Sequence, residues 1–211
     1  MHIADGVLSE AVVVTGIVAT GAITAYAVSK TKKEELPKLS LLTGVFFVAS
    51  LFSLPLPGPT CVHPMLAAFL GILLGGKAVI PILVGLGLQA FLLQYGGIST
   101  LGINTLLVTL PAFAGGYLFH QSKKYLSTVL QRGAFSALVS TVLVGVFLSF
   151  VMYFSDERYA EGFITGGGFV GLIEMILVTH LVLAVVVEAP VTGFAVRYIN
   201  HARPSLVSKK G

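Results

Sequence analysis

VLSEAVVVTGIVATGAITAYAVS, residues Val7–Ser29, is a run of 23 residues with a single charge, at Glu10. At ~1.5 Å per residue a helix of this length reaches about 34 Å, enough to cross a hydrocarbon core of about 30 Å. Further apolar runs follow at Leu39–Leu56, Val79–Tyr95, Ile103–Phe119, Gly133–Phe154 and Val170–Ile199. Between the second and the next long one lies Met65–Leu74, apolar but only about 15 Å long as a helix. It is too short to span alone, so it starts partway down the membrane or is re-entrant. Counted as a helix, it brings the total to seven. The fold class is therefore all-α, a polytopic membrane helix bundle of about seven transmembrane helices.

Composition agrees with this reading. Of the 211 residues 55% are hydrophobic and 10% charged, and the mean hydropathy is +0.94. A soluble domain carries about 25% charged residues, and 13 basic with 9 acidic side chains could not cover a soluble surface of this size. One cysteine, Cys61, excludes a disulfide framework and a Cys-rich metal site.

The bases set the orientation. Lys30, Lys32, Lys33, Lys38, Lys77, Lys123, Lys124, Arg132, Arg197, Arg203, Lys209 and Lys210 fall in one set of connections, and Arg158 alone in the other. The positive-inside rule then puts the N-terminus outside and the C-terminus in the cytoplasm. The pI of about 9.2 is thus a topology signal, and nucleic acid is not a partner. The chain is expected to lie in a membrane with its basic face toward the cytoplasm, with the lipid bilayer as solvent. Ala25-Tyr26-Ala27 resembles a signal-peptide cleavage site, but the basic cluster follows the apolar run instead of preceding it. Residues 1–211 read as a single integral-membrane domain, with an N-terminal segment at 1–9 and a basic tail at 200–211. Gly16, Thr20 and Thr24 lay a small face on the first helix, suited to packing inside the bundle or to docking a partner.

In this orientation four segments converge outside: Met1–Ser9, Leu54–Pro64, Gln94–Asn104 and Ser155–Phe169. The first opens Met1-His2-Ile3-Ala4-Asp5-Gly6. The free α-amine of Met1, the backbone nitrogen of His2 and the His2 Nδ1 can chelate one metal through fused five- and six-membered rings. The backbone nitrogen must lose its proton, which a late first-row cation can drive. Tetragonal nitrogen sites suit Ni(II) or Cu(II), whereas zinc prefers a tetrahedron. His63, in the Pro-rich stretch before the short helix, is the candidate for the fourth corner, because histidine at membrane depth is functional by default. Cys61 is a softer alternative ligand or a small core residue.

Metal-bound histidines usually donate their second N–H to an oxygen. Asp5 and Asn104 are candidate acceptors, with Gln89, Ser99 and Thr100 nearby; Asp5 equally suits a cap or turn at the first helix. His180 and Glu188 are the two ionisable residues inside the last span, with Glu174 nearer its outer end. Eight residues apart on an ideal helix, they stand about 80° apart around its axis and at different depths. Glu188 falls in the inner half, positioned for a cytoplasmic base or a coupling partner. No H-E-x-x-H, G-x-x-x-x-G-K-[ST] or G-x-S-x-G occurs. The chain carries neither an ATP site nor these enzyme signatures.

Met1-His2-Ile3-x-Asp5-Gly6, Thr60-Cys61-Val62-His63, Gly96-Gly97-Ile98-Ser99-Thr100-Leu101-Gly102-x-Asn104 and His180-x-x-x-Ala184-x-x-x-Glu188 together resemble a known family. It is the substrate-specific membrane subunit, CbiM or NikM, of nickel/cobalt energy-coupling-factor (ECF) transporters. The resemblance runs from residue 1 to about 196. It departs from the family pattern at Gly58-Pro59-Thr60-Cys61-Val62, where many relatives have Gly-Gly-Thr-Ser-Gly. It implies a seven-helix bundle with its N-terminal residues plugged into an outer pocket, and metal held by Met1, His2 and His63. It also implies a transmembrane coupling (T) subunit, two cytoplasmic ATP-binding cassette ATPases and a small accessory membrane subunit. On this reading the chain is not an enzyme, needs no prosthetic group, and binds Ni(II) or Co(II) as substrate. The alternatives are a stand-alone metal channel or proton-coupled permease, and an intramembrane enzyme using His63 with Cys61.

Overall fold

The computed structural model describes residues 3–52, 54–55, 61–153 and 168–207. Its helices are α1 (Glu10–Ser29), α2 (Leu36–Ala49), α3 (Ala67–Leu74), α4 (Val79–Leu93), α5 (Leu101–Gln121), α6 (Val129–Tyr153), α7 (Gly168–Leu183) and α8 (Ala189–Ala202). A π-turn at Ala184–Glu188 joins α7 to α8. Each of the seven apolar runs thus carries helix, the last one as α7, π-turn and α8. Extended structure among the described residues is a short antiparallel pair, Leu54 opposite Val62 and Pro55 opposite Cys61. Five stretches are long and apolar enough to cross a membrane: Glu10–Ser29, Ala67–Leu93, Leu101–Lys124, Val129–Tyr153 and Val170–Ala202. Large apolar side chains such as Val18, Phe91, Phe150 and Val186 point outward from these helices. This is a multi-pass membrane protein, and the apolar surface is what lipid covers.

Two expectations change. The second run was expected to stay helical to Leu56, but α2 stops at Ala49. The Ser50 hydroxyl donates to the carbonyls of Phe46 and Phe47, at 2.9 and 2.8 Å. Pro55 then disfavours helix in the residue before it. The 80° between His180 and Glu188 assumes an ideal helix. The intervening π-turn, closed by the Ala189 N–H on the Ala184 carbonyl, adds a residue to one turn. Pro190 explains its position: its ring clashes with a carbonyl one turn back, and the helix accommodates it by local unwinding.

α3 is the centre of the bundle. Every residue from Ala67 to Leu73 is buried. Its backbone lies directly on α5: a Cβ added at Gly71 would stand 1.7 Å from the Ala112 carbonyl oxygen. α1 and α5 meet as closely, with the Thr20 hydroxyl donating to the Gly102 carbonyl at 2.7 Å. Gly16 and Thr20 of the small face are buried there, so that part of the face serves packing within the bundle. At one end of the bundle the Lys38 Nζ donates to the Leu73 carbonyl at 2.6 Å, and Lys77 pairs with Glu35. A cation on the last carbonyls of α3 opposes the negative end of its dipole. The start of the basic tail docks at this end as well, with Val207 buried against the core.

Candidate metal centre

The opposite end is organised by residues 3–8, which belong to a second apolar cluster. Ile3, Val7 and Leu8 pack with Ile103 and Leu107 of α5, Leu148 and Met152 of α6, and Leu172 and Ile176 of α7. The backbone of Ile3 is held at both of its polar groups. Its N–H donates to Asn104 Oδ1 at 2.9 Å. Its carbonyl accepts from Thr100 Oγ1 at 2.6 Å and from Asn104 Nδ2 at 3.0 Å. Asn104 and Thr100 are themselves buried, so these bonds form out of water, where leaving them unmade is expensive.

Asp5 provides a second anchor, to the turn before α5. Its carboxylate accepts from the Ile98 N–H at 3.1 Å, the Ser99 N–H at 2.8 Å and the Ser99 hydroxyl at 2.5 Å. The Ser99 hydroxyl foremost, with the backbone N–H groups, holds the Asp5 carboxyl below its ordinary value against the opposing effect of burial. A carboxyl lowered on folding contributes stability above its unfolded pKa and loses it as pH falls through the folded one. The anchor therefore persists at a pH where a free aspartate is already half protonated. Gly97 leaves room for it, since a Cβ there would stand 2.1 Å from Asp5 Oδ1.

Four of the residues singled out in the sequence thus meet around Ile3 and Asp5: Asp5, Ser99, Thr100 and Asn104. Asp5 and Asn104 are the candidate acceptors for histidine N–H groups; among the described residues their oxygens accept from the N–H groups of Ile3, Ile98 and Ser99 and from the Ser99 hydroxyl. They fix the segment that follows His2. Gln89 is buried, with its Nε2 bonded to Ser50 just past the end of α2 and its Oε1 without a partner among the described residues. Replacing Asn104 with alanine leaves the Ile3 N–H buried and unpaired, a cost of about 1–3 kcal/mol. Thermal unfolding in detergent is expected to show that loss, and an unchanged midpoint would contradict the clamp.

Met1, His2 and most of the Ser155–Phe169 segment lie outside the described residues. His63 is fully buried, on the irregular stretch entering α3. Its Nδ1 lies 3.2 Å from the Pro64 carbonyl oxygen. A carbonyl pairs with a protonated nitrogen, and a proton on Nδ1 puts the lone pair on Nε2, the usual arrangement of a metal-binding histidine. His180 is also buried, with Nδ1 2.7 Å from the Ile176 carbonyl, while its Nε2 has no partner among the described residues. Gly145 packs against its ring, where a Cβ would come within 3.0 Å.

Glu188 departs from the expectation of a cytoplasmic partner. Its Oε1 accepts from the N–H groups of Met65 and Leu66, at 2.5 and 3.0 Å. Pro190 is the sequence signal for it, since a proline inside a helix frees backbone and re-aims side chains. The partners, more than 120 residues away, had no signal.

Comparison with known proteins agrees with this architecture. The family model for the cobalt uptake substrate-specific transmembrane region, CbiM, matches residues 2–206. A putative metal transport protein of Haemophilus influenzae is 28% identical over 86% of this chain and 84% of its own. A probable fused nickel transport protein of Lactiplantibacillus plantarum, LarMN, is 29% identical over 97% of this chain and 66% of its own. A crystal structure of a transition metal transporter superposes with a TM-score of 0.85 at 24% identity, covering 96% of this chain and 93% of the other. The chain belongs to the CbiM family of substrate-specific transmembrane regions for cobalt uptake.

Proposed function

We propose that this chain is the substrate-binding membrane subunit of an ATP-driven, ECF-type uptake system for Ni(II) or Co(II). In this reading it is one integral-membrane domain that crosses the cytoplasmic membrane with seven helices, its N-terminus outside and its basic tail inside. The metal is substrate, held by the Met1 α-amine, the His2 backbone nitrogen and Nδ1, and the His63 Nε2. The observation that carries the proposal is the clamp on Ile3: both polar groups of the residue directly behind His2 are fixed to α5. The Ile3 N–H is committed to Asn104, so the His2 nitrogen is the last backbone nitrogen left for a metal. Four nitrogens in one plane favour nickel, with cobalt as the alternative. The chain lacks a phosphate-binding loop, so ATP hydrolysis belongs to two cytoplasmic ATPases. They act through a transmembrane coupling subunit, with a small accessory membrane subunit completing the system.

Uptake of radioactive nickel into membrane vesicles tests this assignment. Uptake is expected only when coupling and ATPase subunits are co-expressed and ATP is supplied, and it is lost in His63→Ala. Robust uptake by this chain alone, driven by a proton gradient, would establish the permease reading instead.

A further inference from the structure

Three residues separate the buried His63 from α3, and the last of them is unusual. Leu66 adopts a left-handed backbone with φ 47°, a conformation that costs a non-glycine residue energy unless its surroundings enforce it. No side chain of the segment caps the helix at this position. Instead, one carboxylate oxygen of Glu188 takes the N–H groups of both Met65 and Leu66. Glu188 arrives from 122 residues further along the chain, at the last position of the π-turn, and is 1% exposed. Its second oxygen, Oε2, is buried with no partner among the described residues.

A local serine or aspartate would terminate α3 at far lower desolvation cost. A buried carboxylate with a half-satisfied head is a poor choice for stability alone. Its geometry does one thing a local cap cannot: it ties the backbone leading from His63 to a separate element of the bundle. α3 is fixed at its other end by Lys38 and along its length by α5, so the segment 63–66 has little freedom once Glu188 engages it.

We propose that Glu188 is a positioning residue for His63: by gripping the Met65 and Leu66 N–H groups, it holds the imidazole where it closes the metal plane. This rests on the reading of His63 as a ligand. The carboxyl oxygen also sits at the positive end of the α3 dipole, which favours an acceptor there.

Cu(II) chloride titrated into the detergent-purified full chain is the probe, because electron paramagnetic resonance counts coordinating nitrogens. Wild type is expected to give a four-nitrogen spectrum, and His63→Ala a three-nitrogen one. Glu188→Ala is expected to follow His63→Ala, with affinity about 10–100-fold weaker, the range for loss of a group that orients a ligand. Glu188→Gln keeps an oxygen in place for the same two N–H groups and is expected to restore the four-nitrogen spectrum. Glu188→Asp withdraws the oxygen by one methylene and falls between. A residue that merely supports the fold would lower the unfolding temperature and leave the spectrum of the folded protein unchanged. A four-nitrogen spectrum at wild-type affinity in Glu188→Ala overturns the inference; if that variant does not fold, the same result in Glu188→Asp does so. A wild-type spectrum in His63→Ala overturns the ligand assignment, and the inference with it.

Discussion

Replacing His2 with alanine, or acetylating the Met1 α-amine, is expected to remove bound nickel from the purified protein. In the proposed site, each change takes one donor from a chelate whose donors share a single backbone. The loss is on the order of 10²–10⁴-fold, the span by which tethered groups exceed a lone one. Neither change touches the clamp behind it, because Asn104 and Thr100 hold Ile3 by its backbone. The unfolding temperature of the metal-free protein is therefore expected to stay at the wild-type value while binding disappears. Unchanged nickel affinity in both variants would exclude the N-terminal chelate. Adding one glycine ahead of Met1 gives a sharper contrast. The histidine then stands third, and amine, two backbone nitrogens and Nδ1 close four corners without help. Binding by that extended chain is expected to become independent of His63, whereas in wild type His63→Ala weakens it. Equal dependence on His63 in the two chains would show that the first nitrogen does not count.

Reading the sequence located the helices well because membrane crossing leaves a strong signal. Each of the seven apolar runs carries helix, five stretches are long and apolar enough to cross a membrane, and the short Met65–Leu74 run is a short buried helix. Residues were also gathered correctly at the Gly97–Asn104 turn, where polar side chains border an apolar span. What those groups bond to was not legible. Asn104 and Asp5 could satisfy histidine or backbone equally well by type, and a backbone N–H leaves no mark in sequence. Long-range capping was hidden for the same reason. Lys38 on Leu73 and Glu188 on Met65 and Leu66 serve carbonyls and N–H groups of a helix whose own sequence, Ala67–Leu74, is uniformly apolar.

Nickel affinity is expected to climb steeply with pH and to keep climbing where an ordinary histidine site has levelled off. Every proton displaced by the metal adds one to the slope of log affinity against pH, since the free protein binds more protons than the loaded one. A free α-amine has a reference pKa of about 7.7–8.0 and an imidazole about 6.5. In the proposed site the metal displaces, between about pH 6.5 and 7.7, one proton from the amine and one from the His2 backbone nitrogen, and a slope of about two is expected. Above about pH 8 the amine is already neutral, and the backbone proton alone keeps the slope near one. Two imidazoles without a deprotonated amide would give a flat line from about pH 7 upward. The Asp5 anchor does not confuse the measurement, because its carboxyl is held below the ordinary aspartate value and stays ionised throughout this range. Competition against a chelator of known protonation constants supplies the slope. A value near zero between about pH 8 and 9 would remove the His2 backbone nitrogen from the ligand set, and with it the reason for preferring a planar, nickel-selective site.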